Sequence, residues 1–106
     1  MVLPEDFRTV VRRGRRSSSP FAVYYRLDRE ATDPVRFGFI VSRAVGSAVE
    51  RNLVRRRMRA VGRQFVDAGA HGADVVVRAL PGSAQGEWAS LSADMHDALD
   101  TPLMAR

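Results

Sequence analysis

One stretch of the sequence decides the fold: residues 37–63 read FGFIVSRAVGSAVERNLVRRRMRAVGR. Its first residues form an apolar run, which predicts a strand, and a glycine-serine turn follows. Ser47 suits the N-cap of a helix that we expect to run to about Ala68, with Gly69 ending it. Residues 51–63 of that helix carry six arginines. A strand, a tight turn and an arginine-rich helix together predict a surface that binds a polyanion.

The predicted helix has two distinct faces at 100° per residue. Its apolar side chains share an arc of roughly 80°, which we expect to face the core: Val54, Met58, Val61, Phe65 and Ala68. The adjacent arc, of roughly 140°, is polar: Arg51, Asn52, Arg55, Arg56, Arg59 and Arg63. Arginines one turn apart are separated by roughly 5–6 Å, which is comparable with the spacing of phosphates along a nucleic-acid strand. The pattern therefore favours binding of nucleic acid, with salt-dependent affinity.

Two other interpretations of the arginine-rich helix are less favoured. A solvated charged face normally alternates in sign, and here only Glu50 interrupts the arginines. An anionic membrane surface would need a free apolar face, but the apolar arc is required to cover the sheet.

Charge is unevenly distributed along the 106 residues. Residues 1–65 hold 15 arginines against 6 acidic residues, whereas residues 66–106 hold 2 against 6. Such asymmetry indicates an anionic partner. No apolar stretch approaches the roughly 20 residues of a membrane span, no signal-peptide pattern is seen, and cysteine is absent. We expect one cytoplasmic, membrane-free domain over residues 1–106, frayed at residues 101–106.

The remaining elements follow from local patterns and give an α+β order of α, β, β, α, β, α. We expect a helix ending at Gly14, a loop or short edge strand over 15–20, strands at 21–27, 35–42 and 74–80, and a final helix starting near Trp88. The short connection between the first two strands predicts an antiparallel arrangement. Gly38, inside a strand, predicts a close backbone approach.

Aromatic residues offer a second candidate interface. Tyr24 and Tyr25 point to opposite sides of a strand, so we expect that at most one of them is a core residue. An exposed tyrosine beside arginines would stack on single-stranded bases. The alternative role for each of the two tyrosines is ordinary core packing. The pattern does not choose between the two tyrosines.

Side chains around the turn and the histidines suggest no chemistry of their own. Ser42 and Ser47 flank the turn, where helix N-terminal amides can hold a phosphate, although capping is the commoner role for Ser47. His71 and His96 are 25 residues apart and lack neighbouring ligands, and there is no G-x-S-x-G motif. We predict neither a catalytic residue nor a metal ligand in this chain.

The same residues resemble a known family. Residues 37–59 are similar to the signature of the bacterial ribonuclease P protein subunit: a hydrophobic strand, Ser-Lys-Lys, Val-Gly-Asn-Ala-Val, and an Arg-Asn-Arg box followed by further basic residues. Flanking pieces agree, namely Glu5-Asp6-Phe7, Phe21-Ala-Val-Tyr24 and Val75-Val-Val-Arg-Ala-Leu-Pro81. The resemblance spans roughly residues 5–100 and keeps the order of the elements.

The resemblance implies an RNA-binding, tRNA-binding subunit of a ribonucleoprotein endoribonuclease, a hydrolase. In that family the RNA subunit performs the Mg²⁺-dependent removal of the 5′ leader from precursor tRNA. The implied partners are ribonuclease P RNA and precursor tRNA, with Mg²⁺ bound mainly by the RNA, and the protein a monomer within the particle. The implied fold is a single-domain two-layer α+β sandwich, αββ(β)αβα, like the second domain of a small-subunit ribosomal protein. Its β-α-β crossover is left-handed, where pattern reasoning expects a right-handed one.

The resemblance also implies roles for particular residues. The box and the residues after it would contact the catalytic RNA, with contributions from the preceding loop: Arg51, Asn52, Arg55, Arg56, Arg59, Arg63, Ser42, Arg43, Gly46 and Ser47. The leader would lie in a cleft between the sheet and the first helix: Phe7, Tyr24, Arg12 and Arg13. Leu53 stands where the family has its second box arginine, which predicts a weaker grip there.

Two alternatives remain open from the residues. A structural RNA-binding protein of ribosomal type would bind RNA without affecting tRNA processing, and Leu53 slightly favours it. A free-standing nuclease would need a cluster of carboxylates or histidines, which the sequence does not show.

Overall fold

The computed structural model describes residues 4–84 and 88–104. Within these residues, three α-helices and four strands follow one another: α1 (Pro4–Arg13), β1 (Arg15–Ser18), β2 (Ala22–Asp28), β3 (Arg36–Ile40), α2 (Ala48–Asp67), β4 (Ala73–Ala79) and α3 (Trp88–Met104). The predicted α+β class is confirmed, and residues 15–18 form the short edge strand. The final helix continues through residues 101–104, where fraying was expected, and residues 105 and 106 lie outside the described residues.

The four strands form one mixed sheet in the order β1-β2-β4-β3. β4 pairs antiparallel with β2 and parallel with β3. The expected direction of β2 relative to β3 is therefore correct, but the two strands are not neighbours, because β4 lies between them. Val75, Val76 and Val77 are all 0% exposed, so β4 buries both of its faces, which only a central strand does.

Helices cover both faces of the sheet. α2 and α3 pack on the face that carries Tyr24, Val75 and Val77, and α1 packs on the face that carries Tyr25 and Val76. Tyr24 is 2% exposed and Tyr25 is 7% exposed. The expectation that the two tyrosines cannot both be core residues is wrong, since it assumed that one face of the sheet is open.

The start of α2 is fixed by a capping box. The Ser47 hydroxyl accepts the Glu50 N–H at 3.2 Å, and the Glu50 carboxylate accepts the Ser47 N–H at 2.9 Å. These hydrogen bonds lower the pKa of Glu50. Gly46, with φ 154°, precedes the box, and a Cβ on it would overlap the Glu50 carboxylate. Only glycine therefore suits the position before the cap.

The other end of α2 also follows the sequence pattern, with one exception. The helix ends at Asp67, Ala68 is its C-cap, and Gly69 has φ 84°. Val54, Met58, Val61 and Phe65 are buried as predicted. Ala68 is exposed, because it stands at the cap after the helix has left the sheet.

A buried carboxylate, Asp74, and a half-buried one, Asp94, connect the periphery to the sheet. Asp74 of β4 is 4% exposed and accepts two hydrogen bonds from Arg36, at 2.8 and 2.7 Å. Asp94 of α3 accepts hydrogen bonds from the hydroxyls of Tyr24 and Ser19, the latter at 2.6 Å. Burial, and then the neighbouring Asp94, raise the pKa of Tyr24 well above its ordinary value.

Candidate RNA interface

The outer side of α2 is an arginine face. We use this name for six residues: Arg51, Asn52, Arg55, Arg56, Arg59 and Arg63. Arg51 and Arg55 are half-buried and the other four are exposed. The buried apolar stripe on the opposite side of the helix holds the face outward, so the predicted separation into two arcs is confirmed.

Hydrogen bonds organise part of the arginine face. Arg55 donates to the Asn52 side-chain oxygen at 3.0 Å and approaches the Val41 carbonyl oxygen at 3.5 Å. Arg63 pairs with Asp67 at 3.0 Å, and both side chains are largely exposed. Arg55 is therefore held between the box and the end of β3, while Arg63 keeps an exposed partner that a phosphate can replace.

The charge of this face is almost entirely of one sign. Within α2 the acids are Glu50 and Asp67, one in each terminal turn. The Glu50 carboxylate is already engaged in the capping box, where a negative charge also suits the helix N-terminus. The charged groups of the turns between these two acids are therefore all guanidinium groups, which is the arrangement expected for binding a polyanion.

The loop before α2 lies beside the arginine face. Ser42 and Arg43 are exposed, and residues Arg43–Val45 form a short 3₁₀ turn. The Ser47 hydroxyl is used for capping, as its commoner role predicted. Gly46 shapes the turn. Among the predicted RNA-binding residues of this loop, Arg43 is the one that carries a charge.

A groove lies between α1 and the sheet, on the face opposite to α2. We call it the α1 groove. It encloses about 380 Å³ and is lined by Phe7, Arg8, Val11, Arg12, Ile40 and Arg78. The Phe7 ring lies directly over Gly38, where a Cβ would overlap it. The close approach predicted at Gly38 was that of backbone; the structure shows a close approach by the Phe7 side chain of α1 instead.

The leader residues proposed from the family resemblance do not all meet in this groove. Phe7 and Arg12 line it, and Arg13 is exposed at the end of α1. Tyr24 lies on the other face of the sheet, where its hydroxyl donates to Asp94. Placing Tyr24 in the groove was therefore wrong, because side chains alternate along β2.

Arg78 and Arg8 are charged residues of the groove that the sequence pattern did not single out, and Arg78 comes from the sheet. It lies on β4, it is exposed, and its guanidinium carbon is 6.0 Å from the centre of the Tyr25 ring. The available signal was a charged residue inside the apolar run of a central strand. Because Arg78 alternates with Val77, it points to the same face as Val76 and α1.

The described residues form neither a cluster of metal ligands nor a membrane-spanning helix. Among residues 4–84 and 88–104, no three histidine, cysteine, aspartate or glutamate side chains come together as a metal-binding group. In the same part of the chain, none of the helices has the length and apolar character needed to cross a membrane.

The family model for ribonuclease P matches residues 2–102. The chain belongs to the ribonuclease P protein family. It is 44% identical over 94 residues to the ribonuclease P protein component of Clavibacter michiganensis, covering 89% of this chain and 83% of that protein. It is 47% identical over 104 residues to that of Streptomyces avermitilis, covering 90% and 84%.

Solved structures of ribonuclease P proteins share the fold. The Staphylococcus aureus RNase P protein superposes with a TM-score of 0.84 at 20% identity, covering 96% of this chain and 93% of that one. The Thermotoga maritima RNase P protein gives a TM-score of 0.81 at 21% identity, covering 93% of each chain. The family match favours the ribonuclease P interpretation over the ribosomal one.

Proposed function

We propose that this chain is the RNA-binding subunit of ribonuclease P and assists removal of the 5′ leader from precursor tRNA. The observation that carries the proposal is the arginine face, presented by a capped helix in a chain that belongs to the ribonuclease P protein family. The free-standing nuclease is not favoured, because the charged groups on both candidate surfaces are arginines.

The two surfaces divide the work of binding. The arginine face and Arg43 contact the catalytic RNA, with each guanidinium offering a planar pair of donors to phosphate oxygens. The α1 groove takes the single-stranded leader, where Phe7 offers an aromatic surface for a base and Arg12 and Arg78 flank it. One chain would thereby hold catalyst and substrate together. We expect this to occur in the cytoplasm, with one protein per particle.

The chemistry, in this proposal, resides in the RNA subunit, and Mg²⁺ is bound mainly there. Mg²⁺ prefers carboxylate, phosphate and water oxygens. Beside the arginine face, the Glu50 carboxylate accepts the Ser47 N–H and the Asp67 carboxylate pairs with Arg63, and the charged groups of the face itself are arginines. This donor set does not suit Mg²⁺, so the contribution of the protein is to bind and orient RNA and to offset phosphate repulsion.

Salt dependence gives the proposal a magnitude. Each phosphate that an arginine neutralises changes the slope of log K against log salt by roughly −0.7 to −0.9. If all five arginines of the face contact phosphate, the slope of log K against log salt is about −4. Removing one of them flattens that slope by somewhat less than one unit.

The experiment compares Arg59→Ala with Arg78→Ala, which remove the same charge from opposite faces. Gel shifts with a bacterial ribonuclease P RNA are made over a salt series, and precursor tRNA processing is measured at low Mg²⁺. We expect Arg59→Ala to weaken RNA binding, and Arg78→Ala to weaken only the advantage of leader-bearing over leaderless tRNA. Failure of the folded wild-type protein to stimulate processing at low Mg²⁺ would overturn the proposal.

A further inference from the structure

A second groove lies between α2 and β3, at the C-terminal end of the arginine face. We call it the α2–β3 groove; it encloses about 340 Å³. Its walls include Phe39 and Val66, with Gly62 between them. Val66 is 44% exposed, and the only other large hydrophobic side chain so exposed in the described part of the chain is Val49. The groove therefore combines an apolar wall with access from solvent.

Phe39 is the outer member of a run of rings that crosses the core. Its ring is parallel to that of Phe37, with an interplanar angle of 4° and centres 5.9 Å apart. The ring centres of Phe37 and Phe65 are 5.9 Å apart, and those of Phe65 and His96, which stack, are 4.8 Å apart. Phe39 remains half-buried where this run meets the groove. A flat aromatic group entering the groove would extend the run by one ring.

Gly62 allows this arrangement. A Cβ at residue 62 would come within 3.0 Å of the Phe39 ring, a spacing tighter than ordinary van der Waals contact. Because the residue is glycine, α2 lies close over the phenylalanine pair and no side chain fills the space beside Phe39. The same absence keeps the apolar wall of the groove accessible.

Arginines surround the apolar wall. Arg59 and Arg63 project from α2 at the rim, and Arg36 lies on the strand side. Arg36 is committed to Asp74, whereas Arg63 pairs with the exposed Asp67. A purely apolar ligand would make no use of the exposed charge of Arg59 and Arg63 at the rim, and an anionic ligand without an apolar part would leave Phe39 and Val66 in water. A nucleotide satisfies both, since a base has an apolar face and a phosphate carries charge.

We propose that the α2–β3 groove holds one unpaired nucleotide of the RNA that binds the arginine face. The base lies against Phe39 and Val66, and Arg59 and Arg63 contact the adjoining phosphates. This inference rests on the proposed function, because it needs an RNA strand along α2. It adds a specific contact to a surface that would otherwise recognise phosphates alone.

The test uses a matched pair of charge variants. Val66→Glu places a carboxylate at the groove, and Ala60→Glu places one on an exposed position of the same helix, outside the groove lining. We expect Val66→Glu to lower affinity for a bacterial ribonuclease P RNA about tenfold or more, and Ala60→Glu by about threefold, since Ala60→Glu places the same charge beside arginines of the same helix but does not block the groove.

A third variant separates stacking from charge. Phe39→Leu keeps an apolar side chain and removes the ring, so we expect about a five- to tenfold loss of affinity. The salt slope should not change, because stacking releases no counterions. Thermal melting checks that the variant is folded at the temperature of the binding assay. Base-specific chemical modification of the RNA should show one unpaired nucleotide that wild type protects and Val66→Glu leaves reactive.

The outcomes distinguish this inference from the proposed function. Equal effects of Val66→Glu and Ala60→Glu, with wild-type binding by folded Phe39→Leu, would overturn the nucleotide site. If Arg55→Ala still weakened RNA binding in that case, the role of the arginine face would stand. If Arg55→Ala also had no effect, both proposals would fail.

Discussion

Replacing Tyr24 with phenylalanine tests the assignment that changed most between sequence and structure. The Tyr24 hydroxyl is buried and donates to Asp94, which also accepts the Ser19 hydroxyl at 2.6 Å. Tyr24→Phe keeps the ring that fills the core, so it opens no cavity. The change in the free energy of unfolding therefore measures the hydrogen bond alone.

The expected cost follows from the charge and exposure of the acceptor. A hydrogen bond to a charged group contributes about 1.5–3 kcal/mol. Asp94 keeps Ser19 as a partner and is half-buried, which places the cost near the lower end, about 1.5 kcal/mol. For a domain of this size, each kcal/mol shifts Tm by about 4–8 °C. We expect Tyr24→Phe to lower Tm by about 6–12 °C.

The same hydroxyl predicts a dependence on alkaline pH. Burial, followed by Asp94, raises the pKa of Tyr24 above its ordinary value of 10.0. Above about pH 10, the unfolded state therefore loses a proton that the native state keeps. The unfolded state then binds fewer protons than the native state, so the free energy of unfolding falls as pH rises. Phenylalanine has no such proton, so the stability gap between wild type and Tyr24→Phe should narrow above pH 10.

Circular-dichroism melts at pH 7 and above pH 10 provide the measurement, with Tyr25→Phe as the matched control. Tyr25 is the next residue of the same strand and faces α1, on the side of the sheet opposite to Asp94. The Tm of the Tyr25→Phe variant should therefore change less than that of Tyr24→Phe. An unchanged Tm for Tyr24→Phe, together with weaker binding of a leader oligonucleotide, would refute the reasoning and place Tyr24 in the α1 groove.

Three further perturbations have defined outcomes. Ser47→Ala removes the capping box and should cost about 1 kcal/mol, measured by urea unfolding; an unchanged midpoint would contradict the cap. Gly38→Ala should displace the Phe7 ring and weaken leader binding in a fluorescence titration, while binding of the RNA subunit stays at its wild-type value. Leu53→Arg should raise affinity for the RNA subunit and steepen the salt slope by up to about 0.9; a slope equal to that of wild type would show that residue 53 does not reach a phosphate.

Features set by local sequence were predictable. The Ser47 cap, the arginine arc and the glycine that ends α2 depend on spacings within a few turns of one helix. Gly38 was informative for the same reason, because a strand rarely tolerates glycine without a close neighbour. The binding role of the arginine face stays a prediction, since its test needs the RNA.

Features set by distant packing were not predictable from local patterns. A short β2–β3 connection suggests a pair, but β4 enters between them because its valines bury both faces. Tyr24 was misplaced since nothing local shows which face of the sheet α1 covers, and it covers the face that carries Tyr25. Arg78 was missed because its meaning depends on that same helix: without α1, an arginine on β4 would only reach solvent.

The placement of β3 links the two candidate grooves and makes them separable. Alternate residues of this strand face opposite sides, so Phe39 lines the α2–β3 groove while Ile40 lines the α1 groove. In each groove a glycine admits an aromatic ring at close range, Gly38 for Phe7 and Gly62 for Phe39. If catalytic RNA and leader occupy these opposite sides, Phe39→Leu and Gly38→Ala should each weaken one ligand and spare the other. For each ligand, the double variant should then lose the same binding free energy as the single variant that weakens that ligand. A clearly different loss would mean that β3 transmits occupancy of one groove to the other.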